Sequence, residues 1–259
     1  MALTNVPGTL EIHHKPSTRL PGSRTDSSGK AVFNVLLLAL PDDEYDLIRP
    51  YLESIDLPQY FVMHETGQMI EYGFFLNSGM ASLVITTRDG KSIEVGVVGK
   101  EGMVGTPLGV GMNRGPYRAI MQISGAGTRI NAPSLAMLLP IAPNLRQQIH
   151  SYVMLQGLQM AQVAACNRLH ELEQRLSRWL LMCQDRVDSE NINLTHEFLA
   201  QMMGSGRPSV TLVTGMLEQR GAIENSRGMI RIIDRKQLEE ASCECYNVIQ
   251  NFNGGLGLK

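Results

Sequence analysis

The chain has 259 residues, 43% of them hydrophobic, enough for two modest domains with cores of their own. A net charge of −2 at pH 7 argues against a non-specific nucleic-acid coat, and no apolar run approaches bilayer-spanning length, Val35 to Leu40 being far too short. The start of the chain lacks the apolar core of a signal peptide. Four cysteines, Cys166, Cys183, Cys243 and Cys245, suggest no disulfide framework, so a reduced, cytoplasmic setting with no membrane partner is expected.

Residues 1–30, rich in Pro, Ser, Thr, Gly and charged side chains, read as a flexible tail. In residues 31–143, Pro41-Asp42-Asp43-Glu44 starts a helix ending near Tyr51. Short apolar runs follow at Tyr60 to Met63, Phe74-Phe75, Ala81 to Thr86, Ile93 to Val98 and Ala119 to Ile123, punctuated by glycines. Regularly spaced short strands with glycine turns predict an all-β roll or barrel, and Thr87-Arg88-Asp89-Gly90-Lys91 reads as a hairpin turn.

Residues 144–187 read as one long helix. Leu158, Ala161, Ala165, Leu169, Leu172, Leu176, Trp179 and Cys183 advance by three and four, averaging close to a heptad. Ala161, Ala165, Leu169, Leu172 and Leu176 are therefore the candidate seam of a parallel homodimer. Packing of the helix on its own roll is the alternative use, and opposite faces can serve both. Trp179 is expected in the core at the domain junction.

Residues 188–259 carry the most informative pattern. Thr195 is a favourable N-cap, with Leu194 and Leu199 spaced as a hydrophobic staple and Gly204 where a left-handed C-terminal residue belongs. A second helix opens near Pro208, with Val210, Val213, Thr214 and Leu217 facing inward and Arg207, Pro208, Thr211, Leu212 and Gly215 outward. Gly221 ends it. A short hairpin follows, centred on Ser226-Arg227-Gly228, and Asp234 with Gln237 has capping-box spacing for a last helix. From Arg207 to Lys236 there are six basic residues against three acidic ones, suited to a few phosphate contacts per subunit.

Catalytic chemistry has no foothold: there is no His-Glu-x-x-His, nucleophile elbow or Walker loop, and no catalytic residue is assigned. Cys243 and Cys245 lack the flanking ligand spacings of a zinc site, so no metal is expected, and His170-Glu171 reads as a solvated pair.

The order Thr195, Gly204, Arg207-Pro208, the valine-rich inner face and Leu217-x-x-x-Gly221-x-Ile223 resembles the winged helix-turn-helix of the Crp/Fnr transcription regulators. The strand-rich segment is similar to the cyclic-nucleotide-binding β-roll that precedes it in that family. The resemblance implies an α+β architecture: an N-terminal jelly-roll-like β-roll, a long dimerisation helix and a C-terminal winged helix-turn-helix. It further implies a homodimer on paired half-sites of double-stranded DNA, with RNA polymerase as a partner. Arg207 would reach a base edge, with Ser205, Ser209 and Arg227 on phosphates and Pro208, Thr211 and Leu212 on the same face. The family commonly has an acidic residue after that Arg and an Arg further along; here Pro208 and Leu212 stand there, so the target site should differ.

The family's nucleotide binders place a Glu on the ribose and an Arg-Ser-Ala run on the phosphate. In the corresponding pocket, formed by Gly99, Glu101, Gly105, Thr106, Tyr117, Arg118 and Ala119, Thr106 stands at the ribose position. Tyr117-Arg118-Ala119 replaces the phosphate run, moving the Arg by one place and so to the other strand face. Binding of a cyclic nucleotide in the usual mode is not expected, and with no cysteine before Cys166 neither is an iron–sulfur cluster. The pocket either takes another ligand or is filled by side chains such as Tyr117 and Met103. A cyclic-nucleotide-responsive regulator, or a β-roll that controls another protein without binding DNA, are the alternatives.

Overall fold

The computed structural model describes residues 19–187, 189–226 and 228–254. The chain opens with β1 (Arg24–Thr25), β2 (Ala31–Val32), α1 (Val35–Leu38) and α2 (Asp42–Ile48), the last extended by a 3-10 turn over Arg49–Tyr51. Then come β3 (Glu53–Leu57), β4 (Val62–His64), β5 (Tyr72–Leu76), β6 (Met80–Thr86), β7 (Ser92–Val98) and β8 (Met103–Val104). A 3-10 helix over Thr106–Val110 leads to β9 (Arg118–Ile123), β10 (Gly125–Asn131) and α3 (Ala132–Leu138). Two helices follow, α4 (Pro143–Leu169) and α5 (Leu172–Val187). The C-terminal unit holds β11 (Asn191–Ile192), α6 (His196–Met203), α7 (Arg207–Gln219), β12 (Ile223–Ser226), β13 (Met229–Ile232), α8 (Arg235–Ala241) and α9 (Cys245–Gly254).

Two four-stranded antiparallel sheets, ordered β3-β10-β5-β8 and β4-β9-β6-β7, form the expected roll. Leu36, Leu57, Phe75, Leu76, Leu83 and Met121 fill the space between them. The strands β3 and β10 had no apolar signature. Gly127 of β10 shows why: a Cβ there would lie 2.4 Å from the Phe75 carbonyl oxygen, so close strand approach demanded glycine where a pattern search wants a hydrophobe.

The expectation of a tail reaching residue 30 is corrected. Arg24 is buried, donating to the carbonyls of Leu37 (2.7 Å) and Leu40 (2.6 Å) and pairing with Asp42 (2.9 Å). Asp26 is buried too, and its Oδ1 accepts the amides of Ser28 and Lys30. Residues 19–30 are thus part of the fold.

Helix α4 starts without a side-chain cap of its own. Buried Glu44 of α2 supplies one, accepting the backbone amides of Asn144 and Leu145 at 2.9 Å each, which suits the positive end of the dipole. The helix then lies close on the roll. A Cβ on Gly102 would sit 2.0 Å from the Tyr152 ring, and one on Gly109 would sit 2.2 Å from Ile149.

The single helix expected over 144–187 is two helices. His170 leaves α4 with an extended backbone (φ −115°, ψ 149°), and α5 restarts two residues later. No Gly or Pro marks the break. Tertiary packing makes it, because α5 must swing its Leu176, Trp179, Leu180 and Cys183 into the core shared with α6, α7 and the wing. The proposed seam divides accordingly. Ala161, Ala165 and Leu169 are exposed on α4, together with Met154 and Leu158. Leu176 is fully buried within its own chain, and half-buried Leu172 packs against that same core.

Trp179 does sit at the domain junction, where its indole donates to Glu94 Oε1 of β7 at 2.7 Å. Ser82 lies between Glu94 Oε2 (2.6 Å) and Gln122. A serine hydroxyl has one proton; when Ser82 gives it to Gln122, the bond to Glu94 requires a protonated carboxyl as donor. Burial, the main cause, pushes Glu94 up to about 7 from 4.5. A carboxyl whose folded pKa exceeds its unfolded one contributes stability that is complete below about pH 4.5 and lost as pH rises through about 7. We expect Glu94→Gln, which keeps both hydrogen bonds, to flatten this decline, worth on the order of 2–3 kcal/mol in the wild type. Denaturant melts at pH 5 and 8, with the fluorescence of the single tryptophan as probe, measure it; identical pH slopes for both proteins would remove Glu94 as the source.

Candidate nucleic-acid interface and effector pocket

The helix-turn-helix is built as its sequence implies. Thr195 Oγ1 accepts the amide of Phe198 at 3.2 Å, and Leu194 and Leu199 are both buried. Gly204 closes α6 in the left-handed conformation (φ 57°). Gly206 precedes α7, which begins at Arg207, one residue before the expected Pro208. Val210, Val213, Thr214 and Leu217 are buried. Arg207, Pro208, Ser209, Thr211 and Leu212 are exposed on the outer side, and Ser205 is half-buried in the turn. Leu212 is 68% exposed. Arg207 lies 4.0 Å from Glu197, an exposed pair too loose to hold it. Arg227 lies outside the described residues.

One polar residue here escaped the sequence reading. His196 reaches Thr211 Oγ1 of α7 through Nδ1 (3.0 Å) and Asn225 Oδ1 of β12 through Nε2 (3.2 Å), tying the first helix, the recognition helix and the wing. Asp234 caps α8 through Gln237 as expected, but α8 is not the last helix; α9 follows it and packs on α4.

The DNA-binding unit is docked on the roll. Tyr60 and Phe198 rings meet at 5.7 Å, and Gln59 donates to the Asn193 carbonyl. The hairpin between β6 and β7 turns at Thr87 to Lys91 as expected, with the Thr87 amide on the Lys91 carbonyl, and stands beside the start of α7. A cleft of about 730 Å³ separates them, lined by Lys91, Ser92, Glu197, Gln201, Ser205 and Arg207.

In the roll, the pocket positions are occupied by their own side chains. Buried Thr106 and Tyr117 both hydrogen-bond to Gln156 Oε1 of α4, at 2.8 and 3.1 Å. Burial raises the Tyr117 hydroxyl above its usual pKa. Met103 and Ala119 are fully buried in the core. Arg118 points to the other face, pairing with Glu65 at 3.3 Å. Glu101 is turned to structure: its Oε1 accepts the Gly99 amide (3.1 Å) and Arg186 Nε of α5 (2.8 Å). A Cβ on Gly99 would strike that pair, 2.7 Å from Glu101 Oε2. Gly105 (φ 94°) makes the turn into the 3-10 helix.

Four side chains of metal-ligating type converge where the sequence spacing gave no sign of it. Cys166 and His170, one turn apart at the end of α4, meet Cys243 from the segment after α8 and Cys245 at the start of α9, with all four ligand atoms within 4.8 Å of one another. The flanking spacing sought in the sequence is absent because the two pairs come from different helices. Cys166 and Cys243 lie 3.4 Å apart, and the hydrogen bond from the Cys243 thiol pushes Cys166 down to about 5 while Cys243 itself is pushed up.

Residues 174–241 match the Crp-like helix-turn-helix domain. Over about three quarters of its length the chain shares its fold with solved regulators. FixK2 from Bradyrhizobium japonicum aligns at TM-score 0.64 and 12% identity, over 74% of this chain and 98% of that one. The c-di-GMP responsive global regulator CLP of Xanthomonas campestris aligns at 0.62 and 15%, over 74% and 99%. TTHA1359, a CRP/FNR family transcriptional regulator from Thermus thermophilus, aligns at 0.60 and 20%, over 73% and 98%. No curated protein matches the chain in sequence. In architecture the chain resembles these regulators: a β-roll joined through α4 and α5 to a Crp-like helix-turn-helix domain.

Proposed function

We propose that the chain is a sequence-specific transcription regulator that binds paired DNA half-sites as a homodimer, without gating by cyclic AMP in the usual mode. The bare outer face of α7, with Arg207 at its leading end and Leu212 exposed beyond it, carries this reading: a helix built to insert needs such a face, and a helix that only docks on its own chain does not. Arg207 is assigned to a base edge, Ser205, Ser209 and Arg227 to phosphates, and Leu212 to a thymine methyl. The exposed stripe of Met154, Leu158, Ala161, Ala165 and Leu169 on α4 supports a dimer in which small residues let two helices approach. Recruitment of RNA polymerase and a cytoplasmic location go with this function, and no catalytic role is assigned.

The Thr106–Tyr117–Gln156 cluster supports a roll that works without a cyclic nucleotide, since Thr106 and Tyr117, at the positions expected to meet the ribose and phosphate, both bond to Gln156 Oε1 of α4. Gln156 belongs to α4, so whatever moves this cluster moves the dimer helix. A ligand regulates only by favouring one such arrangement over another.

Three measurements test this reading. Arg207→Ala should cost about 1–3 kcal/mol at a site selected from genomic fragments by gel shift, with altered base preference; unchanged preference would strip Arg207 of its role. Leu158→Asp places two unpaired carboxylates in the dimer stripe, so light scattering should report a monomer and half-site cooperativity should vanish. An intact dimer would put the interface elsewhere. Calorimetry with cyclic AMP, cyclic GMP and cyclic di-GMP should detect no saturable binding at micromolar concentrations, and a micromolar isotherm with any of them would overturn the gating proposal.

A further inference from the structure

The most concentrated chemistry outside the DNA-binding and pocket regions lies where α4 ends. Cys166, Cys243 and Cys245 form a small cluster of their own, all buried, and His170 completes it. Sulfurs at two corners of a tetrahedron around one ion, each about 2.3 Å from it, are roughly 3.8 Å apart. Here Cys166 Sγ and Cys243 Sγ are separated by 3.4 Å, and Cys245 Sγ and His170 Nδ1 by 3.6 Å. Those distances match one ion. An iron–sulfur cluster spreads its thiolates over different irons and needs a wider cage than four atoms within 4.8 Å.

The surroundings are those of a metal site as well. His170 presents Nδ1 to the sulfurs while its Nε2 lies 3.3 Å from Glu244 Oε1, the carboxylate–imidazole arrangement that fixes the ring of a metal-bound histidine. Gln162 Nε2 donates to Cys245 Sγ at 3.0 Å. Three thiolates and an imidazole around a divalent ion leave one net negative charge, the displaced thiol protons going to solvent. Two cations stand ready to balance it. Arg178 acts on Cys166 electrostatically, Arg175 interacts with Cys166 and Cys243, and both have a buried Nε without a hydrogen-bond partner among the described residues.

We propose that Cys166, His170, Cys243 and Cys245 bind a single zinc-type divalent ion in a closed tetrahedral Cys3His site. With four protein ligands and no open position, the ion is structural. It fastens the α4–α5 break to the α8–α9 segment, so it fixes how the DNA-binding unit is carried by the helix that bears the exposed stripe. Soft thiolates select zinc over magnesium or calcium.

The test uses the full chain, purified in a thiol reductant and read without DNA, so its result stands apart from the regulatory reading. Elemental analysis should find one zinc per chain. Chelated protein titrated with Co2+ should saturate at one equivalent, with thiolate-to-cobalt charge transfer and the intense visible bands of tetrahedral cobalt, and added zinc should bleach both. Cys166→Ser and Cys245→Ser, their folding checked by circular dichroism, should lose at least about 100-fold in affinity. Glu244→Gln should lose roughly tenfold, as expected when the partner of a ligating histidine is removed. Cys183→Ala, which alters the thiol outside the cluster, should bind as the wild type does. The proposal is overturned by octahedral or absent cobalt bands in the wild-type chain, by stoichiometric binding that survives Cys166→Ser with Cys245→Ser, or by a Cys166–Cys243 disulfide with no retained metal.

Discussion

An acid carried into a protein interior must find partners there, and where the roll meets the following helices it presents Glu94 on β7 and Glu101 in the turn after it. Both find their donors on α5: Trp179 for the first, Arg186 for the second. These two bonds tie α5 to the roll. Helices α6, α7, α8 and α9 all pack on α5, while α6 also packs on β7 and α9 on α4, so the buried acids hold the junction together with those contacts. Removing Glu101 would leave the buried Arg186 charge unmet, and removing Glu94 would leave the Trp179 indole without its acceptor.

The same helix pair explains the pocket. Gly99, Gly102 and Gly109 are places where α4 or α5 touches the turns after β7, and a side chain at any of them would push the helix away. With α4 drawn in so closely, Gln156 Oε1 reaches both Thr106 and Tyr117. The sequence shows a threonine at 106 and Tyr117 beside Arg118; that a glutamine from the next helix bonds to both Thr106 and Tyr117 is visible only in three dimensions.

The α4 break shows the opposite relation. Heptad spacing runs unbroken from Leu158 to Cys183, and nothing local interrupts it. The chain uses the first part of that pattern on an exposed face and the second in its own core, and the turn at His170 separates the two uses. A periodic pattern says that a face is apolar; it does not say against what.

What the sequence determined by itself was local or short-range. Caps at Thr195 and Asp234, the left-handed Gly204, the inner face of α7 and the turn at Asp89-Gly90 depend on neighbours within one or two turns, so residue type and spacing suffice. The tertiary structure decided what joins distant segments: the burial of Arg24 and Asp26, the reach of Gln156 and His196, the course of β10, and the meeting of Cys166 and His170 with Cys243 and Cys245 across more than seventy residues. Such groupings are made by the packing of whole helices and sheets, whose positions come from the sum of many weak contacts, and no run of adjacent residues encodes that sum.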